Sequence, residues 1–220
     1  MSPFSLPLHI FYFLTFEIIP MKQSLLFFLI FPFLLSAQNL ETLEIGSLAP
    51  MMDLKMQATD GNAYSLSDAK NTNGMLVIFS CNTCPFVVMW EDRYTMLEEI
   101  CRKNKVGMVY LNSNEKKRDE DDSFDAMVQH SIKNSYSFPY LVDEKSTMAN
   151  AFNAKTTPHV FLFDQNNMLV YKGAIDDNYE SKKEVKSFYL KDAIDQLASK
   201  TTILTKETKP VGCSIKRVRN

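Results

Sequence analysis

Two cysteines two residues apart, Cys81 and Cys84, carry the clearest chemistry in this sequence. A thiol pair at this spacing suits reversible disulfide formation, one half of a tetrahedral zinc site, or a structural staple. Zinc needs a second ligand pair with matching spacing. Cys101, Cys213, His130 and His159 stand singly and do not provide one. As a staple, so short a loop restricts the unfolded chain little, and four cysteines in 220 residues are sparse for a disulfide scaffold. A redox pair is the reading that remains, with no metal and no bound cofactor.

Such a pair must be held at a defined place. Met75-Leu76-Val77-Ile78-Phe79, bounded by Asn73-Gly74, is a short apolar run that reads as a buried strand. Downstream, Phe86, Trp90, Tyr94, Leu97 and Cys101 recur every three or four residues, predicting an amphipathic helix from about Pro85 to Lys103. Pro85 suits its first turn, where a missing N–H is harmless. The cysteines therefore fall between a strand and a helix start. Unpaired amides and the helix dipole there are expected to stabilise a thiolate at the first cysteine, the species that attacks a disulfide. Cys84 is then the resolving partner, and Cys101 a core residue on the apolar stripe.

The same alternation continues. Strands are expected at Val106–Leu111, Tyr140–Asp143 and Val160–Phe163, the last joined by the turn Asp164–Asn167 to a hairpin partner, Met168–Lys172. Helices are expected at Ser123–Lys133, near Thr147–Phe152 and around Lys186–Ala198. Glu115–Asp122 reads as a solvated charged segment without chemistry, and Asp176-Asp177-Asn178 as a turn. Strand and helix alternation followed by a hairpin and a last helix indicates an α/β sheet with helices on both faces. There are no repeats, and no domain boundary after residue 40.

The first 37 residues stand apart. Met21-Lys22-Gln23-Ser24, the apolar run Leu25–Leu35 and Ser36-Ala37 have the parts of a secretory signal peptide over about residues 21–37. At eleven residues the run is shorter than the roughly 20 needed to span a bilayer. Residues 1–20 then form an upstream extension, and residues 38–220 the exported domain with its tail, periplasmic or otherwise outside the cytoplasm. The competing reading joins Leu8–Phe16 to the second run as an uncleaved membrane tether. A formal net charge of −2 lacks the basic excess of a nucleic-acid surface.

Strand, Cys-x-x-Cys, helix, Thr157-Pro158, strand, Asp-containing turn, strand and Gly173 together resemble the thioredoxin superfamily over roughly residues 45–199. Cys81-Asn82-Thr83-Cys84-Pro85-Phe86-Val87 and Thr157-Pro158-His159-Val160-Phe161 are similar to a peroxiredoxin-like, thioredoxin-like branch. In that branch a CxxC replaces the peroxiredoxin site and the tail carries Gly-Cys-Ser-Ile-Lys, here residues 212–216. The resemblance implies a thioredoxin-like α/β fold with a central mixed β-sheet flanked by helices. It implies a thiol–disulfide oxidoreductase that forms a mixed disulfide with protein thiols or disulfides and is recycled by a redox partner protein. Cys81 is the implied attacking thiolate and Cys84 the resolving thiol. Thr157 and the cis-proline Pro158 form the implied substrate loop, binding an extended segment by strand addition. His159 and Cys213 are auxiliary candidates, Cys213 forming a second disulfide or relaying electrons on a folded-back tail.

Departures from the superfamily pattern keep alternatives open. Asn82-Thr83 replaces Gly-Pro between the cysteines, and Met75 stands where a buried acid would handle the resolving proton. Glu91 is read as part of a solvated helix face. A thiol peroxidase would use Cys84 as peroxidatic cysteine, although Cys81 stands in place of the usual Thr and the direction of Arg93 is not fixed by sequence. A copper carrier would use the two cysteines with His159, although their spacing differs from the copper-binding pattern.

Overall fold

The computed structural model describes residues 42–218. The apolar segments read as a signal peptide or membrane tether lie outside the described residues. Among the described residues no helix is long and apolar enough to cross a membrane.

A small antiparallel hairpin, β1 (Met56–Gln57) and β2 (Ala63–Tyr64), precedes a short helix α1 (Leu66–Ala69). Ser65 and Asp68 satisfy each other's backbone N–H groups in a capping box at its start. Then follow β3 (Gly74–Ser80), α2 (Pro85–Trp90), α3 (Tyr94–Lys103), β4 (Val106–Asn112) and α4 (Phe124–Lys133). The chain continues through β5 (Tyr140–Val142), α5 (Thr147–Ala151), β6 (Thr156–Thr157), β7 (His159–Asp164), β8 (Leu169–Gly173), α6 (Tyr189–Ala198) and β9 (Cys213–Ser214).

Five strands form the central sheet in the order β5-β4-β3-β7-β8. β3, β4 and β5 run parallel, while β7 lies antiparallel to β3 and β8 antiparallel to β7. Every residue of β3 and β4 is buried, which explains their unbroken apolar character: both faces of the sheet are covered. Leu76 and Ile78 pack toward Trp90, Tyr94, Leu97 and Ile194. Met75, Val77 and Phe79 pack on the other side toward Leu66, Met148 and Phe152. The rings of Phe79, Phe152 and Phe161 meet edge to face with centroids 5.2, 5.3 and 5.6 Å apart. The expected α/β architecture, a mixed sheet flanked by helices, is the one observed.

The helix expected over Pro85–Lys103 is broken by a 3-10 turn at Glu91–Arg93. Side chains at the break turn inward. Glu91 Oε1 is 2.5 Å from His130 Nε2 and accepts from the Tyr136 hydroxyl at 3.2 Å. Arg93, only 3% exposed, pairs with the equally buried Asp176 at 3.3 Å. Glu91 therefore belongs to an interhelical cluster with α4 rather than to a solvated face. Beyond α6 the tail returns to the sheet. The Thr208 amide donates to Lys172 O, Trp90 Nε1 donates to Val211 O at 3.3 Å, and β9 adds antiparallel to β6.

Candidate functional site

The buried strand β3 ends at Ser80, and α2 begins at Pro85 with Cys84 as its N-cap residue. Cys81 and Cys84 are thereby confined to the short turn between a rigid strand and a helix. Opposite them lies the cis Thr157–Pro158 peptide, placed there by the antiparallel pairing of β7 with β3. Thr157 serves both sulfurs. Its hydroxyl is 3.3 Å from Cys81 Sγ, and its carbonyl oxygen is 3.5 Å from Cys84 Sγ.

The tail completes the site. β9 pairs Thr156 with Ser214 and Thr157 with Cys213, and Cys213 is disulfide-bonded to Cys84 with Cα atoms 6.3 Å apart. Cys81 and Cys101 are free thiols, both buried. Thus Cys81, Cys84, Thr157, Pro158 and Cys213 converge, and the closed bond in this state is Cys84–Cys213. The edge beside Thr157 that could accept an extended strand is filled by the protein's own tail. Gly212 makes this possible, because a Cβ there would come within 2.3 Å of Thr157 O.

His159 sits on β7 with its ring turned elsewhere. Its Nδ1 accepts the Lys155 amide at 3.3 Å and its ring packs on Phe161 at 4.5 Å between centroids. Burial, then the charges of Lys172 and Lys155, push its pKa down to about 3. The unfolded chain, with an ordinary imidazole near 6.5, binds a proton that the folded chain refuses. Stability is therefore expected to fall as pH drops below about 6.5, by about 1.4 kcal/mol per pH unit for this group. Denaturant unfolding of His159→Asn, which keeps an acceptor for the Lys155 amide, should lack that component between pH 4 and 6. An unchanged slope would assign the acid lability to other groups.

Cys81, expected at a helix start to have a lowered pKa, has a raised one in this state. Burial pushes the Cys81 thiol up to about 11, and the negative charge of Asp122 adds to the rise. Hydrogen bonds from Thr157, the Cys84 amide and the Asn114 side chain act in the opposite direction but are outweighed. Cys101, on the buried face of α3, is pushed up to about 12 by burial.

Asp122 is the residue that sequence reasoning missed. Although it ends an apparently solvated acidic run, it is 1% exposed. Its carboxylate accepts from the Asn82 amide at 2.9 Å, Asn112 Nδ2 at 2.7 Å and Asn114 Nδ2 at 2.9 Å. Asn82 in turn accepts from the Tyr140 hydroxyl at 2.8 Å. One signal could have found this cluster. Parallel neighbours end at the same edge, so Asn112-Ser113-Asn114 must emerge beside the cysteine turn. Arg93 is committed to Asp176 and to the Met89 and Asn178 carbonyls. Among the described residues no three His, Cys, Asp or Glu side chains are grouped to hold a metal ion.

Comparison with known proteins agrees with this geometry. The Redoxin family matches residues 44–189. A conserved protein of uncharacterised role from Geobacillus kaustophilus is 30% identical, with TM-score 0.75 over 80% of this chain and 94% of that one. A hypothetical protein from Sinorhizobium meliloti 1021 is 27% identical, with TM-score 0.74 over 82% of this chain and 98% of that one. Peroxidoxin BcpB of Mycobacterium tuberculosis, at 12% identity and TM-score 0.54 over 71% of this chain and 97% of its own, shares the fold. No curated protein matches the chain. A thioredoxin-like sheet, a strand-to-helix cysteine turn facing a cis-proline and a match over most of the domain agree on thiol-based redox chemistry, and the chain belongs to the Redoxin family.

Proposed function

We propose that this chain is an exported thiol–disulfide oxidoreductase acting on protein cysteines, with Cys81, Cys84 and Cys213 as its redox centre. The observation that carries the reading is Thr157, whose hydroxyl and carbonyl face Cys81 and Cys84 while its strand edge holds an extended cysteine-containing segment, the protein's own tail. With all three cysteines reduced, the Cys81 thiolate attacks a client disulfide, forming a mixed disulfide and releasing one client thiolate. The Cys84 thiolate then attacks the Cys81 sulfur, releasing the second client thiolate and leaving a Cys81–Cys84 bond. Cys213 next attacks Cys84, which returns Cys81 to a thiol and leaves the Cys84–Cys213 bond, with no net change in electrons. Two electrons from a dithiol partner protein reset the centre. Export follows from the cationic start, apolar run and small-residue exit of residues 21–37, and it suits a protein that carries a disulfide.

Redox titration against glutathione, with mass spectrometry of the disulfide-linked peptides, tests this scheme. Reversible cysteine couples that exchange with a protein disulfide support it, and their potential assigns the direction of flow. Absence of any mixed disulfide with a protein client in a Cys84→Ser trap rejects it.

The Cys84–Cys213 bond itself favours a second reading, a thiol peroxidase. Cys84 at a helix start would lose its proton and take oxygen from a peroxide as a sulfenic acid. Cys213 would then close the disulfide and release water. Against it, Arg93 is turned away to Asp176, and a cysteine precedes Cys84 where a peroxide-polarising Thr would stand. Peroxide-driven formation of Cys84–Cys213 at a rate far above that of free cysteine would decide for this reading.

A further inference from the structure

Asn114 occupies an unusual joint. Its Nδ2 group donates to Asp122 Oδ2 at 2.9 Å and lies close enough to the Cys81 sulfur to favour its thiolate. Its Oδ1 accepts the Lys216 amide at 2.8 Å, three residues beyond Cys213. The Lys116 amide donates to Lys216 O alongside it. One side chain thus links a buried carboxylate to the strand that carries the bonded cysteine, within electrostatic reach of the free sulfur. Asp122 holds the other end of the same assembly, because it accepts the backbone N–H between the two site cysteines, that of Asn82.

We propose that Asp122 and Asn114 are positioning residues of the redox centre, tying the seat of the C-terminal strand to the geometry and reactivity of the Cys81 sulfur. This rests on reading Cys81 as a redox thiol. A carboxylate enclosed by protein is tolerated where amide donors satisfy it, and here all three bonds to its oxygens come from amide groups around the cysteine turn and the end of β4. Its negative charge opposes formation of a thiolate nearby, whereas the Asn114 donor favours it. The two residues therefore pull on Cys81 in opposite senses.

Tyr94 from α3 and Tyr140 from β5 interact with Cys81, and Thr157 from β6 bonds it. Arg118 donates to the carbonyls of Asp122 and Asn112, both at 2.8 Å. Asp121 offers its backbone carbonyl to Asn82 Nδ2. Asp143 accepts from the Ser113 hydroxyl and donates its amide to Asn112 O. From the tail, Cys213 is committed to its disulfide and the Lys216 ammonium bonds Ser214.

The test uses the full chain carrying Cys101→Ala, oxidised so that Cys81 is the remaining free thiol. Its reaction with a small aromatic disulfide is timed from pH 7 to 9.5. Asp122→Asn should react about tenfold faster at a given pH, equivalent to a shift of about one pH unit. Asn114→Ala should react severalfold slower. It should also make Cys84–Cys213 easier for glutathione to reduce, by roughly threefold to tenfold in the exchange constant, the effect of one lost hydrogen bond. Asp121→Asn, on the exposed neighbour, should stay within about twofold. Simple loosening of the site would accelerate both inner variants together, and that result, or no change in either, overturns the proposal. Should Asp122→Asn fail to fold, Asn114→Ala alone decides: slower reaction supports the coupling, unchanged or faster reaction refutes it. None of these readings requires a client, so failure here is distinguishable from failure of the oxidoreductase reading.

Discussion

Cys84→Ser is expected to reduce exchange with protein disulfides at least about 10³-fold, because Cys84 is the sulfur common to both bonds the centre can make. Without it Cys81 can still open a client disulfide, but the mixed disulfide has no intramolecular exit and should accumulate. A second consequence is thermodynamic. The Cys84–Cys213 bond spans 129 residues. Closing so long a loop restricts the unfolded chain and is expected to add about 3–5 kcal/mol of stability. Oxidised wild type should therefore melt about 10 °C above Cys84→Ser, and reduced wild type should melt close to the variant. Cys213→Ser should lose the same stability yet retain measurable client exchange through Cys81 and Cys84. If Cys84→Ser keeps more than a tenth of wild-type exchange, Cys84 is not the shared sulfur.

Gly212→Ala is the other change with a large expected effect. A methyl group there would meet the Thr157 carbonyl oxygen at 2.3 Å and its carbon at 2.6 Å, both backbone atoms of a peptide held by the sheet. Neither can yield cheaply, so the tail must move. Forced displacement of this kind destabilises a packed contact by about 1–3 kcal/mol. Here it falls on the strand pairing that brings Cys213 to Cys84. The exchange constant for Cys84–Cys213 against glutathione should drop about tenfold or more, read by quantifying linked peptides at fixed redox poise. The Cys81–Cys84 couple, which does not need the tail, should change far less. A variant that closes the long-range disulfide normally would mean that β9 does not guide its formation.

How much of this was legible in the chain depends on the range over which each feature is determined. β3 and the helix after it were readable because burial on both sheet faces forces an uninterrupted apolar run, and helical packing forces a stripe. The cysteine turn follows from those two neighbours. The break at Glu91–Arg93 was not readable, since the partners that draw these side chains inward, His130, Tyr136 and Asp176, lie on distant segments. Asp122 was hidden for the same reason. In sequence it closes a charged run, and only the parallel pairing of β3 with β4 brings Asn82 and Asn112 to its carboxylate. The lowered Cys81 pKa expected from a helix start did not materialise, because Cys84 takes the N-cap position while enclosure and a like charge dominate at Cys81. The resemblance of the Gly212–Lys216 motif suggested a folded-back tail. Its register against Thr156–Thr157 required the three-dimensional arrangement.

The tail is held on both sides of Cys213, at Val211 by Trp90 and at Lys216 by Asn114. Its thiol is therefore a tethered reagent whose encounter with Cys84 is intramolecular. Tethering of that kind corresponds to effective concentrations in the millimolar range or above, and well-oriented groups exceed this by orders of magnitude. Soluble thiols must compete with a neighbour that never diffuses away. A mixed disulfide at Cys84 with a small thiol should accordingly be short-lived, and the centre should respond to dithiol proteins, which deliver two sulfurs at once, far better than to monothiols of equal potential.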